Sequence, residues 1–371
     1  MVRYPCRARN TLFATTALVA LAGAAAAEVT ITGSAEMGVA GGDGTDLQFH
    51  QSVDVRFAMT GETDGGLTFG ATVDLDDITD MGNSGNGSGD IQGANPDFTV
   101  TIGGAFGTLT MGDTDGAFDA RLTEVDIGAS LADDHTGHAG FSGNAGLDGA
   151  LNGQVARYDY SFGDFTISAS AEVSAGTDAV AGTAIICQNT TTGAVTELPP
   201  GSRCAATGET LIAGTAQADA TDQDSVLGIG ASWSGDMGGM TLGLGAGYQT
   251  QDNGGVDIFG VSASVAAGGF TVVLNYSDLD GFKRKAADEN ETKLSADSHA
   301  AIGVGYTTGA LTMSANYGVY DYADGTEDKG WGAAVNYDLG GGVVAQVGYG
   351  SSDIWDGSDD ATWSAGLAMT F

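Results

Sequence analysis

Basic residues are scarce in this sequence of 371 residues. It has 12 Lys and Arg against 48 Asp and Glu, which gives a formal net charge of −36 at pH 7. Binding to nucleic acid needs clustered Lys and Arg to contact the phosphates, so we expect no nucleic-acid partner. The same shortage argues against attachment to anionic lipid headgroups by charge.

Proline is rare as well, with 4 residues, whereas glycine reaches 62. Four prolines cannot support the Gly-X-Y repeat of a collagen triple helix. Acidic, glycine-rich chains are often disordered, but 42% of these residues are hydrophobic, which is too many for that class. The glycines therefore belong to the turns and strands of a folded protein.

Long apolar runs are limited to the N-terminus. Three arginines precede an apolar stretch over residues 12–22, and small residues follow up to Ala27. This order is typical of a secretory signal peptide, and the stretch is too short for a membrane anchor. We expect residues 1–27 to be removed by cleavage after Ala27. The remaining domain, residues 28–371, has no segment apolar enough for a transmembrane helix.

Cysteine is sparse, with 3 residues in the sequence. Cleavage of the signal peptide would remove Cys6 and leave Cys187 and Cys204. Exported proteins sit in an oxidising compartment, so these two cysteines predict a disulfide within a long loop. Zinc is the competing interpretation, but no further cysteine and no nearby histidine would complete such a site.

Strict alternation of apolar and polar residues takes the place of helical periodicity in the rest of the chain. Residues 28–39 alternate Val, Ile, Gly, Ala and Met with Glu, Thr, Ser and Gly, and residues 361–371 alternate in the same way. Side chains of a strand point alternately to opposite faces, so both segments are predicted to be long amphipathic strands.

A short segment recurs between these ends, in which an apolar residue follows a glycine directly or after one further residue. The glycines of the seven segments are Gly66, Gly107, Gly163, Gly239, Gly269, Gly309 and Gly342. Glycine reaches the positive φ angles of tight hairpins, so each segment predicts a turn between two strands. Longer polar stretches, such as residues 41–48, 79–96 and 280–298, separate the strand pairs.

The number of turns predicts the architecture. Seven turns join fourteen strands in pairs, and the two terminal segments bring the number to sixteen. The predicted fold is all-β: a 16-stranded antiparallel transmembrane β-barrel with short turns on one side and long loops on the other. A soluble sandwich would need larger aliphatic side chains, whereas these strands carry a thin apolar band, often with an aromatic residue near one end. Such a barrel encloses a water-filled lumen.

Four segments and the last residue carry a resemblance to a known family. They are EVTITGSAEMGV from residue 28, SVDVRFAMTGETDGGLTFGA from 52, GAFGTLTMGD from 104, YDLGGGVVAQVGYG from 337, and Phe371. The sequence resembles the trimeric general porins of alphaproteobacteria. The resemblance implies short periplasmic turns, long extracellular loops, and a third loop that folds into the barrel with its acids facing basic wall residues. Phe371 is similar to the terminal signal that the family's assembly machinery reads.

The third long loop, predicted over residues 112–153, is strongly acidic. It holds eight acids and a single base, Arg121. Folded inward, as the resemblance implies, it would form a negative constriction, with apolar residues packed on the wall; a solvated surface loop is the alternative. The acids expected at the constriction are Asp115, Asp119, Glu124 and Asp126. The apolar residues expected on the wall are Phe118, Leu122, Val125 and Ile127.

Alternation assigns four charged residues to the lumen wall: Asp54 and Arg56 in the second strand, Arg157 and Asp159 in the sixth. An arginine on the lipid face would cost about 2–4 kcal/mol at mid-bilayer. Arg56 and Arg157 are therefore predicted to form the basic wall opposite the loop. The family's larger basic cluster is missing here, which favours a more uniformly negative pore.

Asp-Gly-rich stretches could coordinate calcium, which prefers clustered oxygen ligands; ordinary polar loops are the alternative. The calcium candidates are Asp43, Asp46, Asp252 and Asp257. His135 and His138 could bind a metal but lack a third ligand at a fixed spacing. The predicted function requires no cofactor, and calcium is the one candidate ion.

The predicted function is passive diffusion of small hydrophilic solutes and ions through a water-filled, cation-preferring pore. The alternatives are a solute-selective channel and a barrel that acts mainly as a structural or adhesive surface protein. No histidine lies in a recognisable catalytic motif and no phosphate-binding loop is present, so we do not expect an enzyme. Expected partners are outer-membrane lipid and lipopolysaccharide, further copies of this chain in a homotrimer, and the outer-membrane assembly machinery.

Overall fold

A computed structural model describes most of the chain. The described residues are 27–75, 97–151, 153–174, 185–189, 192, 195–198, 209–213, 224–284, 294–354 and 359–371. The predicted signal peptide up to residue 26, the polar stretch 79–96 and Cys204 lie outside them.

Strands make up nearly all of the regular structure. In chain order they are β1 (Glu28–Gly42), β2 (Thr45–Glu62), β3 (Thr68–Leu75), β4 (Asp97–Gly104), β5 (Gly107–Gly112), β6 (Val155–Phe162), β7 (Phe165–Ser174), β8 (Ile185–Asn189), β9 (Val195–Leu198), β10 (Glu209–Ala213), β11 (Asp224–Asp236), β12 (Met240–Gln251), β13 (Val256–Ala267), β14 (Phe270–Asp280), β15 (Lys283–Arg284), β16 (Leu294–Thr308), β17 (Leu311–Tyr322), β18 (Glu327–Gly340), β19 (Val343–Asp353) and β20 (Asp359–Thr370). A 3-10 turn, Asp119–Arg121, follows β5. In the described part of the chain, no helix is long and apolar enough to cross a lipid bilayer.

Sixteen strands form one closed antiparallel barrel, which confirms the predicted architecture. They are β1–β7, β11–β14 and β16–β20. Strands that follow one another in the barrel pair with each other, and β20 returns to pair with β1, where Leu367 lies opposite Met37. Because the last strand pairs with the first, the sheet has no open edge, which is the condition for a sheet to stand in lipid.

Seven tight connections lie at one end of the barrel, called here the turn rim, as predicted. All seven predicted turn glycines have positive φ angles: Gly66 80°, Gly107 110°, Gly163 58°, Gly239 94°, Gly269 88°, Gly309 57° and Gly342 86°. Side chains with a Cβ rarely adopt such angles, so glycine lets the chain reverse within a few residues.

The opposite end, called here the loop rim, departs from the prediction of uniformly long loops. The stretch 41–48 is a hairpin whose turn is Asp43 and Gly44, a residue pair that favours tight turns. Asp43 is also held by β20, since its N–H donates to the Ala361 carbonyl at 2.8 Å. Two further short connections are residues 252–255 and 323–326. The third loop, residues 113–154, is long, as predicted.

The two faces of the barrel wall differ in chemistry, as the alternation predicts. On the outer face, large apolar side chains stay exposed, with Ile31 at 55%, Leu274 at 50% and Val347 at 54%. Their neighbours in sequence on the inner face, such as Asn275 and Gln346, are polar and buried. So wide an exposed apolar surface is unfavourable in water and is typical of a wall that contacts lipid.

Residues 173–225 form a compact unit of their own. It contains a three-stranded sheet in which β8 pairs with both β9 and β10. Cys187 on β8 is 1% exposed and disulfide-bonded. Its predicted partner, Cys204, lies outside the described residues, so the pairing itself stays a prediction.

Arginine substitutions on neighbouring strands test the two faces. We expect Leu274→Arg, on the outer face of β14, to reduce folding into lipid vesicles, because an arginine there costs about 2–4 kcal/mol at mid-bilayer. Ser264→Arg, on the inner face of β13, should fold in nearly wild-type yield because the inner face is polar. Electrophoresis without heating measures the folded fraction of each variant, and equal losses in both would contradict the assigned faces.

Candidate functional site

The third loop lies inside the barrel, where its apolar residues are buried against the wall. Phe118, Leu122 and Val125 are 1%, 8% and 2% exposed. Phe118 and Leu122 pack with Ile258 of β13 in one apolar cluster, and Val125 and Ile127 contribute to a second cluster on β14 and β16. The wall packing predicted for these four loop residues is thus confirmed.

Polar side chains of the inner wall bind the loop backbone. The N–H groups of Ala117, Thr123 and Ala139 donate to serine hydroxyls on β7, β13 and β19 at 2.8, 2.8 and 2.9 Å. Asn336 on β18 accepts from the Ala129 N–H at 3.0 Å and donates to the Ala129 carbonyl at 2.7 Å. A loop inside a barrel has no strand partner, so wall side chains supply the hydrogen bonds that its buried backbone needs.

Glycines on the inner wall allow this close approach. A Cβ on Gly332 would collide with the His135 carbonyl, and a Cβ on Gly350 would collide with the Asp134 carbonyl. Further wall glycines that lie against the loop are Gly230, Gly245, Gly303, Gly318 and Gly366. Some glycines of the chain therefore allow the loop to pack closely on the wall and do not form turns.

These contacts carry the loop along much of the inner circumference. From β7 it passes β11–β14 and β16–β19, and Leu131 reaches Gly38 on β1 and Gly366 on β20. Residues 113–131, called here the outgoing arm, lead away from β5, and residues 139–154, called the returning arm, lead back to β6. The returning arm passes Gly318 on β17 at Gly140. The pore is consequently bounded by the loop itself over all these strands.

Four of the predicted charged residues form a cluster at the base of the loop. Arg157 on β6 donates to the Asp115 carbonyl at 2.6 Å and, through Nε, to Asp159 at 3.0 Å. Arg121 of the loop lies 3.8 Å from the other Asp159 carboxylate oxygen. Arg157 therefore holds the loop base. The prediction that Arg157 faces the loop from the opposite side of the pore is wrong. The reason is that β5 pairs with β6, so the loop that leaves β5 starts beside Arg157.

The other predicted wall residues, Asp54 and Arg56, lie on the inner face of β2. Arg56 is 3.7 Å from Asp74 of β3 and 42% exposed, and Asp54 accepts a hydrogen bond from the Ser34 hydroxyl at 2.8 Å. Arg56, like Arg121 and Arg157, thus has a carboxylate within 4 Å. The positive charge of all three arginines is offset locally.

The acids expected at the constriction lie among the buried apolar residues of the loop. Asp119, Glu124 and Asp126 are half-buried, whereas their neighbours Phe118 and Val125 are fully buried against the wall. The structure therefore places these three acids on the same arm of the loop. The fourth expected acid belongs to the cluster at the loop base.

Asp148 is a further candidate that the sequence alone does not single out, since it is one of eight acids in the loop. Its carboxylate accepts hydrogen bonds from the Gly116 N–H at 2.6 Å and from the Gln249 amide at 2.5 Å. Gln249 on β12 also accepts from the Leu147 N–H at 2.8 Å. Asp148 thereby joins the outgoing arm, the returning arm and the wall. Burial raises the pKa of Asp148 to about 7, although both donors act to lower it.

His135 and His138 fix the tip of the loop. They are 3% and 4% exposed. His135 Nδ1 lies 2.7 Å from the Ser130 hydroxyl, and His138 Nε2 lies 2.5 Å from the Asn316 side-chain oxygen on β17. Within the described residues, no group of three or more His, Cys, Asp or Glu could hold a metal ion.

The predicted calcium ligands lie at short hairpins of the loop rim. Asp43 sits in its turn beside β20, and Asp46 is exposed on β2. Asp252 opens the connection to β13, and Asp257 accepts a hydrogen bond from the Tyr248 hydroxyl. Calcium binding at these positions stays a prediction.

The raised pKa of Asp148 predicts a pH-dependent docking of the loop. The docked carboxyl has a pKa of about 7 against an ordinary value of 3.8, so docking is strongest when the group is protonated. This contribution of Asp148 should weaken docking as the pH rises from about 4 to 7, whereas burial lowers the pKa of His138, whose contribution has the opposite sign. Hydrogen exchange of loop amides, corrected for the intrinsic rate, should therefore show protection in the wild type falling relative to that in Asp148→Asn over this range. A constant ratio between the two proteins would refute the assignment.

Comparison with known proteins identifies the family. The chain matches the family model described as Gram-negative porin over residues 14–356. It is 35% identical to a porin of Rhodobacter capsulatus over 146 residues, which is 38% of this chain and 44% of that relative. The matched part is thus less than half the length of the curated relative.

Solved porin structures share the fold. A porin refined at 1.8 Å resolution covers 93% of this chain and 100% of its own, with a TM-score of 0.57 and 22% identity. A variant of the Rh. blastica porin covers 92% and 100%, with a TM-score of 0.58 and 19% identity. An anion-selective porin from Comamonas acidovorans covers 93% and 100%, with a TM-score of 0.56 and 16% identity. At these identities the likeness establishes the fold alone.

The family match spans most of the sequence, and the closed barrel has the architecture of the solved porins. Both findings indicate the outer membrane as the site of the protein. The chain belongs to the Gram-negative porin family.

Proposed function

We propose that the protein forms a water-filled channel in the outer membrane, through which small hydrophilic solutes and ions diffuse passively, with a preference for cations. The observation that carries this proposal is the acidic third loop docked inside the closed barrel. A barrel of sixteen strands is wide enough for an aqueous passage, and an inner loop narrows it. The family membership supports a channel and not an enzyme.

The preference for cations rests on the charge of the loop. It holds eight acids against Arg121, and Arg121 itself lies beside Asp159. Because the apolar side chains of the outgoing arm pack on the wall, we infer that Asp119, Glu124 and Asp126 face the free lumen. A low-dielectric wall concentrates the field of such groups, so cations are enriched in the pore and anions are depleted.

The fold by itself does not set the sign of the selectivity. The Comamonas porin is anion-selective and shares the barrel at 16% identity. Side chains that project into the lumen must therefore decide which ion is favoured. In this chain every lumenal arginine named above is matched by a neighbouring carboxylate, and the loop adds further acids.

Assembly partners belong to the same proposal. We infer a homotrimer in contact with outer-membrane lipid and lipopolysaccharide, inserted by the outer-membrane assembly machinery. Phe371 supports the last point: its side chain is 66% exposed, and its backbone pairs with Gly33 of β1 at 2.9 Å. The terminal residue is thus both part of the barrel closure and accessible to a binding protein.

Reversal potentials in planar bilayers under a KCl gradient test the ion preference. The wild type should show the sign of a cation-preferring pore, and the triple variant Asp119→Asn, Glu124→Gln, Asp126→Asn should move toward the non-selective value. Added salt should weaken the wild-type preference, since the screening length at 0.1 M is about 10 Å, comparable with a pore radius.

A matched variant controls for the loss of three charges. The triple Asp64→Asn, Asp164→Asn, Asp236→Asn removes as many acids from exposed positions at the turn rim and should keep most of the wild-type potential. An anion-preferring wild type at low salt would overturn the proposed selectivity. Absence of any conductance from a folded barrel would overturn the channel itself.

A further inference from the structure

The pairing of β1 with β20, called here the seam, closes the barrel. It runs from Ser34 opposite Thr370 to Gly42 opposite Thr362. Elsewhere in the wall, neighbouring strands follow one another along the chain, so they stay close together even when their hydrogen bonds open. The two strands of the seam have no such connection. A contact that holds them together therefore opposes opening of the barrel more directly than a contact between other strands does.

Two glycines lie directly opposite each other within the seam, Gly38 on β1 and Gly366 on β20. Gly33 and Phe371 exchange both of their backbone hydrogen bonds, at 3.3 and 2.9 Å. The alternation of an antiparallel ladder then makes Gly38 and Gly366 a non-hydrogen-bonded pair, the kind in which Cα atoms approach to about 4.5 Å. Met37 is exposed on the outer face, so its neighbour Gly38 faces inward. The glycine pair thus leaves a depression in the inner wall.

Leu131 of the third loop fills this depression. Its side chain is 3% exposed, and its Cδ1 occupies the space that a Cβ on Gly38 or on Gly366 would need. One methyl group therefore contacts both strands of the seam. Because half of the depression belongs to each strand, the complete contact forms only when β1 and β20 are paired.

The residues on either side of Leu131 attach the loop to β19 and β20. Ser130 lies against Gly348 of β19, where a Cβ would collide with it. The Ala132 N–H donates to the Ser364 hydroxyl of β20 at 3.4 Å. Ser130 and Ser364 are fully buried. These contacts hold the leucine side chain in register with the glycine pair.

We propose that the tip of the third loop is an internal fastener of the barrel, in which Leu131, seated on Gly38 and Gly366, stabilises the pairing of β1 with β20. The inference goes beyond the proposed channel, since it concerns closure of the barrel and not the passage of solutes. The contact requires both the docked loop and the closed seam. Loop docking and seam closure therefore stabilise each other to the same extent.

Hydrogen exchange of the full-length barrel, folded in detergent micelles, tests the fastener. Leu131→Ala leaves a cavity at the glycine pair, so the seam amides of β1 and β20 should exchange about tenfold faster or more than in the wild type. Amides shared by β13 and β14 should keep their wild-type rates. Unchanged seam amides in this variant would overturn the proposal.

Leu122→Ala is the matched control. Leu122 belongs to the same loop and also packs on two glycines that lie directly opposite each other, Gly247 of β12 and Gly260 of β13. Those strands are joined by the short connection 252–255, so the same truncation should leave the seam amides close to wild type. Equal acceleration of the seam amides by Leu122→Ala and Leu131→Ala would show a general effect of loop packing and would overturn the fastener.

A disulfide across the seam separates closure from loop packing. Ser34 and Thr370 form a non-hydrogen-bonded pair, whose spacing suits a disulfide. With Ser34→Cys and Thr370→Cys oxidised, Leu131→Ala should return to nearly wild-type exchange at the amides between the link and the glycine pair, residues 35–37 and 367–369. Loop amides near position 131 should stay fast, because the leucine is still missing. Seam amides that remain fast in the linked protein would contradict the proposal.

A smaller truncation covers the case in which Leu131→Ala does not fold. Leu131→Val keeps part of the contact, so its seam amides should exchange at rates between those of the wild type and those expected for Leu131→Ala. Wild-type rates in Leu131→Val together with a misfolded Leu131→Ala that the disulfide does not restore would refute the fastener. Neither measurement uses conductance, so the outcome is independent of the channel proposal.

Discussion

The structure depends on one constraint, which is that every backbone amide must find a partner both in lipid and inside the barrel. In the wall the sheet meets this constraint by closing on itself, with β20 paired to β1. Inside the lumen the third loop has no strand to pair with. There, serine and asparagine side chains of the wall take the role of a neighbouring strand for Ala117, Thr123, Ala129 and Ala139.

The unusual composition follows from the same constraint. A wall that faces lipid on one side and a docked loop on the other cannot be built from large aliphatic residues on both faces. The outer face carries the exposed apolar side chains, and the inner face carries small polar residues and glycines. At Gly332 and Gly350 the loop carbonyls occupy the space that a Cβ would need. Among the described residues, glycines therefore serve both in hairpin turns and as contact surfaces for the loop.

Charge is organised in layers along the pore. At the loop base, Arg157 and Arg121 share Asp159, so these arginines hold the loop and add little positive field. In the proposed function, the acids of the outgoing arm give the lumen its sign. Near the loop rim, the half-buried Arg284 lies beside Asp328 and lines a cavity.

The sequence by itself determined the sixteen-strand barrel, the faces of its strands and its seven turn glycines, because alternation and positive φ are local properties that the chain carries without tertiary context. It also indicated that Phe118, Leu122 and Val125 would pack on the wall. The tight hairpin at residues 41–48 follows from its Asp43-Gly44 pair, a local signal that the sequence analysis did not use. The tertiary structure alone decided that Arg157 holds the loop base. It alone brought Asp148 to Gln249, and His138 and Arg284 to one cavity. These last two pairings join residues about a hundred positions or more apart, and no local pattern encodes where a long loop will lie against a distant strand.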